Sequence, residues 1–362
     1  MEDVARTARV STATVSRALN SPDLVAPETL ARVHRAIEKL EYRPNVYAQG
    51  LTTRKSRLLG ILLPDIHGEY YSELLRGADA ESRRLGYNLL VGTEGAVGRT
   101  TDDQVGDGQP TAKEDPSGSP GQGGDAIPSL LLPNVVGFVA GLAVMITEPN
   151  EKLWAQASGT GLPLVVIDES LLRNGVDRVQ VDNQAGTREA VEHLLSSVSP
   201  ESCLFIGGPR ENFDTAERAR VFGEVLMHHG RKPSPQQLLF GEYSVEWGRQ
   251  AGEQVFGTRA AGPVGVLAGD DEIAFGVTQA AKDLGLGVPS DLRIVGFDDT
   301  RLASLIRPQL STVRVPMAEL GAAAVRMLVE RVQDPHRHSV TATLPTHLIV
   351  RGTSSPSHPT VR

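Results

Sequence analysis

Asp3-Val-Ala-Arg-Thr-Ala-Arg-Val-Ser-Thr-Ala-Thr-Val-Ser-Arg-Ala-Leu-Asn20 decides how the N-terminal region folds. Val4, Ala5 and Ala8 recur at helical spacing, so the segment opens as a short amphipathic helix with those three on its inner face. A tight turn is expected at Arg9-Val10. Ser11 then offers an N-cap to a second helix that carries Val15, Ala18 and Leu19 inward. Two short helices joined by such a turn form a helix-turn-helix. Its second helix leaves Ser11, Thr12, Ala13, Thr14, Ser16, Arg17 and Asn20 at or near the outer side, where a major-groove helix presents side chains to base edges and phosphates. Read without its flanks, the same pattern also fits a small helical hairpin with solvated polar residues.

The charge is split to match. Up to Arg57 the chain holds 10 Lys/Arg against 6 Asp/Glu, a net of +4, so the remainder carries −12 to reach the chain's −8. Lys/Arg contacts to phosphate give sequence-blind, salt-dependent affinity, and Arg54, Lys55 and Arg57 close this basic segment. At 362 residues the chain can bury two or three domain cores. Its one cysteine, Cys203, rules out an intrachain disulfide and suits a reducing compartment; it heads the apolar run to Ile206 and reads as a core residue. The first 25 residues hold no apolar signal-peptide core, and the apolar stretch Val135 to Ile146 is too short for a bilayer, which together predict a cytoplasmic protein.

From Leu58 short apolar strands alternate with helical stretches, the pattern of parallel sheets built from strand-helix-strand units. Strands are expected at Leu58 to Leu63, Tyr87 to Val91, Val135 to Val139, Leu164 to Ile167, Arg178 to Val181, Leu204 to Ile206, Val264 to Leu267 and Arg293 to Val295. Helices are expected at Tyr71 to Leu85, Gln184 to Leu195, Ala216 to His228, Glu246 to Val255 and Glu272 to Leu284. This is an open, doubly wound arrangement made twice. Ligands of such sheets bind beyond the carboxyl ends of the strands, and Asp65, Asp168, Asp182-Asn183, Asp270-Asp271 and Asp298-Asp299 stand there. For each aspartate taken singly, a helix N-cap is as good a reading as a ligand contact.

The spacing Val4-Ala5-x-x-Ala8-x-Val10-Ser11-x-x-Thr14-Val15-Ser16-Arg17-x-x-Asn20, followed by Tyr42-Arg-Pro-Asn45-x-x-Ala48-x-x-Leu51, resembles the head and hinge of lactose-repressor-type (LacI/GalR) transcriptional regulators. The likeness continues through Leu164-Val-Val-Ile-Asp168, Phe205-Ile-Gly-Gly208, Ala268-Gly-Asp-Asp271, Ile294-Val-Gly-Phe-Asp-Asp299 and Pro308-Gln-Leu-Ser-Thr-Val-Arg-Val-Pro316. It implies a helix-turn-helix head (1–44), a hinge (45–57) that becomes helical on DNA, and a two-lobed effector domain (58–353) similar to periplasmic sugar-binding proteins. By the same resemblance Asn45, Ala48, Leu51 and Arg54 meet DNA, with Leu51 wedged into the minor groove. Arg218, four residues before Phe222, and Asp298 match effector-binding residues; Asp65, Asp168 and Asp270 join them, with Tyr70 or Tyr71 packing on a sugar ring. Asp270 stands where many members carry Asn. A homodimer on a palindromic operator follows from the mode of reading, with the helices at Tyr71 to Leu85 and Glu272 to Leu284 as its interface by resemblance.

Departures from the family pattern set further expectations. Arg9 occupies a turn position usually held by Gly, at a cost of roughly 1 kcal/mol if its φ is positive. Ala26 replaces the usual Ser or Thr cap before Pro27, and the chain starts a few residues short, without the Thr-Ile that the family carries ahead of helix one. Between Thr93 and Asn134 the family places a helix, but 98–126 is rich in Gly, Pro, Ser and Asp and is expected to be a disordered loop, either an insertion or an out-of-frame stretch. The tail, 354–362, is expected to be disordered too. No dinucleotide or Walker loop, His-Glu-x-x-His or Gly-x-Ser-x-Gly elbow occurs, and His336 and His338 read as a turn, so neither an enzyme, a cofactor nor a metal is expected. The alternatives are a sugar-binding protein without regulatory output, which the basic head speaks against, and a decayed regulator with an impaired first lobe.

Overall fold

A computed structural model describes residues 1–20, 22–40, 56–94, 128–168, 175–257 and 262–355. The hinge positions Asn45, Ala48, Leu51 and Arg54, the side chain of Asn20, the stretch 98–126 and the tail beyond 355 lie outside the described residues. The chain divides into two compact units, Met1–Arg57 and Leu58–Arg362.

In the first unit three helices, α1 (Glu2–Ala8), α2 (Thr12–Asn20) and α3 (Pro27–Lys39), enclose a small core of Val4, Ala5, Ala8, Val15, Ala18, Val33 and Ala36. Only small and β-branched side chains fill it, which lets three short helices approach closely. Pro27 opens α3 with its φ already set for a first turn, and Ala26 before it supplies no side-chain cap.

The second unit contains, in chain order, β1 (Leu58–Leu63), β2 (Asn88–Thr93), β3 (Gly141–Met145), β4 (Leu164–Ile167), β5 (Asp177–Val181), β6 (Cys203–Gly207), β7 (Leu238–Phe240), β8 (Val264–Ala268), β9 (Leu292–Asp298), β10 (Ser311–Arg314), β11 (Thr341–Leu344) and β12 (His347–Ile349). They form two six-stranded sheets with one plan, ordered β11-β5-β4-β3-β1-β2 and β12-β10-β9-β8-β6-β7. The pairs are parallel except β10–β12. Central strands are buried on both faces, so β3, β6 and β8 read as unbroken apolar runs without alternation.

That lack of alternation misplaced one strand. Val135 to Val139 was expected to be extended, but Pro133–Val136 is a helical turn and the strand is Gly141–Met145. Pro133 suits the first helical position. Gly141 opens the strand by pairing with Leu59, and a Cβ there would lie 2.8 Å from the Leu328 side chain, so the position suits glycine. The first long helix also starts earlier than expected, spanning Gly68–Arg84, with Gly86 (φ 78°) closing it.

Three lobe crossings occur among the described residues. The chain leaves lobe one after β5 and builds β6 to β10 of lobe two. It returns by the helix Met317–Gln333 to β11, then crosses again to β12. Thr346 donates a hydrogen bond to the Asp182 carbonyl at 2.7 Å, tying two of these crossings together, and Gly186 leaves room for Thr346 Oγ1 only 2.5 Å from where its Cβ would be. The body also ends later than expected. Ser354 is buried, with its hydroxyl 2.7 Å from both Ser311 Oγ and His193 Nε2, and Thr353 donates to the Ile294 carbonyl. The Ser/Pro composition there concealed two hydroxyls that finish the hydrogen bonding of a sheet.

Candidate functional site

Two surfaces carry functional chemistry, one in each unit. In the head, Arg9 adopts φ 55°, ψ 50°. Its N–H reaches the Arg6 carbonyl and the N–H of Val10 reaches Ala5 at 3.0 Å, so α1 closes by a left-handed turn of the Schellman type with an arginine in the glycine position. Ser11 caps α2, accepting the Thr14 N–H at 3.1 Å, and its hydroxyl lies 2.9 Å from Thr14 Oγ1. Val15 and Ala18 are buried while Thr12, Ala13 and Arg17 are exposed and Ser16 is half-buried. Thus the face of α2 expected to read DNA is the face that the core leaves free.

In the body a cavity of about 350 Å³ lies between the carboxyl ends of the two sheets. Asp65, Tyr70, Tyr71, Arg218, Asp270 and Asp298 line it, as the sequence predicts. Asp214, Asn212, Tyr243, Thr147 and Glu272 line it as well and were not singled out. Asn212 and Asp214 begin the helix Phe213–His228, where Asn212 accepts the Thr215 N–H as the N-cap. A capping pattern was therefore the legible signal. Tyr243 sits on a loop after β7, with its ring against Gly208 and its hydroxyl 2.6 Å from Thr215 Oγ1, a placement that only the folded chain reveals.

Asp168 does not line this cavity, contrary to expectation. Its carboxylate is buried behind Tyr70, accepting the Tyr70 hydroxyl at 2.7 Å and the Val181 N–H at 3.2 Å. Burial, with the nearby charge of Asp214, pushes its pKa up to about 7. It holds the Tyr70 hydroxyl and lines a separate cavity with Val181, Asn183 and Asp214.

Arg218 is buried and fixed on every side. Nε donates to Asn183 Oδ1 at 2.8 Å, Nη1 donates to the Gly269 carbonyl at 2.6 Å, and its carbon centre lies 3.7 Å from the centroid of Phe297. Asp270 caps the helix Asp271–Asp283 through Oδ1, accepting the Ile273 N–H at 2.7 Å, and also lines the cavity. Burial and the charge of Asp298 push Asp270 up to about 7, while burial carries Asp298 to about 6 against the pull of Arg218. Asp65 is more open; burial raises it, yet hydrogen bonds from His67 and from the His67 and Ile66 N–H groups hold it below its usual value.

Asp168 (φ 54°), Asp298 (φ 105°) and Asp299 (φ 57°) all have left-handed or unusual backbone at strand ends. Such conformations cost about 1–3 kcal/mol each and persist where surrounding structure enforces them. For Asp299 the enforcement is visible in ion pairs to Arg314 and Arg351 at 2.7 and 2.6 Å. Across the cavity mouth the Arg301 N–H donates to the Glu69 carboxylate at 2.9 Å, and the Phe213 N–H donates to the Thr147 carbonyl at 2.8 Å.

A helix-turn-helix head attached to a two-lobed body with a polar cleft defines a class: regulators whose DNA reading is joined to a ligand-binding domain. Residues 1–45 match the bacterial regulatory proteins of the lacI family, and 191–354 match a periplasmic binding protein-like domain. Catabolite control protein A of Staphylococcus xylosus is 31% identical over 352 residues, covering 97% of this chain and 98% of that protein. The protein of the same name from Priestia megaterium is 32% identical over 346 residues, covering 92% and 96%. A lac repressor dimer solved on operator with an anti-inducer superposes with a TM-score of 0.80 at 24% identity, covering 97% of this chain and 98% of that one. A transcriptional regulator CelR–cellobiose complex gives 0.68 at 24% over the same shares. The chain belongs to the LacI family and is a DNA-binding transcriptional regulator rather than an enzyme. Among the described residues no helix is long and apolar enough to cross a membrane.

Proposed function

We propose that the protein is a cytoplasmic repressor that binds a palindromic operator as a homodimer and changes its DNA affinity when a sugar or sugar derivative enters the interlobe cleft. The observation that carries this reading is the pairing of an outward polar face on α2 with an interlobe cleft lined by a fixed arginine and several carboxylates. Thr12, Ala13, Ser16 and Arg17 are assigned to the groove, supported at the ends by Ser11, Thr14 and Asn20, while Asn45, Ala48, Leu51 and Arg54 are assigned to the hinge contacts. Arg218, Asp270, Asp298 and Asp65 are assigned to ligand hydroxyls, Tyr70 and Tyr71 to ring packing, and Asp168 to holding Tyr70.

A related solved regulator holds cellobiose, which supports the choice of ligand class. Linkage makes the effect reciprocal: whatever factor the ligand applies to operator affinity, the operator applies to ligand affinity. The test is selection of purified protein against random duplexes across a salt series, repeated with a panel of sugars and nucleosides. A palindrome whose affinity shifts with one sugar is the expected result. Enrichment of no sequence above nonspecific DNA would overturn the regulatory reading, and Arg17→Ala should weaken the selected site by about 1–3 kcal/mol while sparing random DNA.

A further inference from the structure

We propose that the effector carries an ammonium group, as an amino sugar or similar polyhydroxylated amine does, and that Asp270 and Asp298 hold it. This rests on the cleft being the effector site. Among its described lining residues Arg218 is the one guanidinium, His67 the one imidazole and no lysine is present, whereas seven carboxylates line it: Asp65, Glu69, Asp214, Asp270, Asp271, Glu272 and Asp298.

Most of this charge is already engaged. Arg218 spends Nε on Asn183 and Nη1 on the Gly269 carbonyl, with Nη2 3.9 Å from Asp214. Asp214 also accepts the Asn183 amide at 2.7 Å, and Asp65 is bound to His67 at 2.6 Å. Asp270 uses Oδ1 as a helix cap, which leaves Oδ2 for a ligand. The Asp298 carboxylate accepts no hydrogen bond from the described residues, although the strand end holds it in the cavity. The charge of Asp298 is felt at Asp270.

A neutral hydroxyl can donate to either carboxylate but brings no positive charge, so the pair relieves its repulsion only by keeping protons, as the raised Asp270 (about 7) and Asp298 (about 6) do. An ammonium donates to both and offsets one of their two charges, since a nearby opposite charge stabilises ionised carboxylates taken out of water. A phosphorylated or carboxylated sugar would add anionic charge to the same space, so the cavity rejects it. Specificity then lies in charge as much as in hydroxyl geometry.

The experiment uses the full chain at pH 7, with calorimetric titration and thermal melting against matched pairs: glucose and glucosamine, galactose and galactosamine, mannose and mannosamine, plus glucose 6-phosphate. The expected result is one amine bound at least ten-fold tighter than its neutral partner, with the phosphate inert. Asp298→Asn and Asp270→Asn should each reduce that preference to within about three-fold. Both variants are chosen to fold, because Asn also caps helices and tolerates positive φ. Equal binding of neutral and amine members, tighter binding of the phosphate, or no binding by the whole panel would overturn the ammonium assignment. The regulatory reading is tested separately by the DNA selection, so neutral-sugar binding to an operator-selecting protein defeats this inference alone.

Discussion

The two lobes share a strand order but differ in how one sheet face is covered. In lobe two, the crossover from β7 to β8 is the helix Val245–Gly257, which packs backbone to backbone on Asp271–Asp283: a Cβ on Gly248 would lie 2.2 Å from the Ile273 carbonyl, and one on Gly276 would lie 2.1 Å from that of Val245. In lobe one, the crossover from β2 to β3 holds, among the described residues, a 3-10 turn at Ser129–Leu131 and the helical turn Pro133–Val136. Leu130 covers part of the sheet face there. Its side chain occupies the space above Gly60 and Gly92, within 2.6 and 2.4 Å of where their Cβ atoms would be, and joins Leu62, Leu142, Val144 and Leu153 in one buried cluster. A sheet face needs its apolar area removed from water, and one leucine over two glycines achieves part of that.

The largest effect should come from removing that plug. Leu130→Ala is expected to cost about 3 kcal/mol in chemical denaturation, through lost burial and the cavity left above the glycines. A loss below about 1 kcal/mol would mean that the face is held by something other than Leu130. Lobe two should break by overpacking instead. Gly248→Ala should cost about 2 kcal/mol, because the new methyl meets a backbone carbonyl that cannot rotate away. An unchanged melting curve would show that the helix pair can separate freely.

A pH series compares the lobes through their buried carboxylates. Asp168 in lobe one and Asp270 in lobe two both titrate at about 7 in the folded chain, against 3.8 ordinarily. Between those values the folded state keeps protons that the unfolded state has released, so stability falls as pH rises from about 4 to about 7. Asp168→Asn should therefore stabilise the protein at pH 8, by roughly 1–2 kcal/mol, and have little effect at pH 4. A benefit equal at both pH values would count against burial as the cause. The smallest effect belongs to the head, where Arg9→Gly should add about 0.5 kcal/mol by relieving the left-handed turn, part of the gain being offset by the freer unfolded chain. Destabilisation of the head would show that Arg9 makes a contact worth more than its strain.

The head was legible because its structure is local. Cap, turn and inward residues all lie within 20 positions, and helical spacing fixes which face is buried. Strand ends bearing Asp65, Asp270 and Asp298 were legible for a similar reason, since an apolar run stops where polar residues begin. The helix Met317–Gln333, by contrast, was not anticipated, nor were β10 to β12, and the apolar run from Val135 was cut in the wrong place. In a sheet buried on both faces the side-chain period vanishes, so only long-range pairing sets where such a strand starts.

By itself the sequence determined the class of fold, the outward polar face of α2 and three carboxylates of the cleft, Asp65, Asp270 and Asp298, because each depends on neighbours a few residues away. Only the tertiary structure decided that Asp168 stands behind Tyr70, that Asp214 and Tyr243 enter the cavity, and that Ser354 is part of the core. Those placements arise where strands from distant segments meet at one sheet end, and no local periodicity encodes which of them will be neighbours.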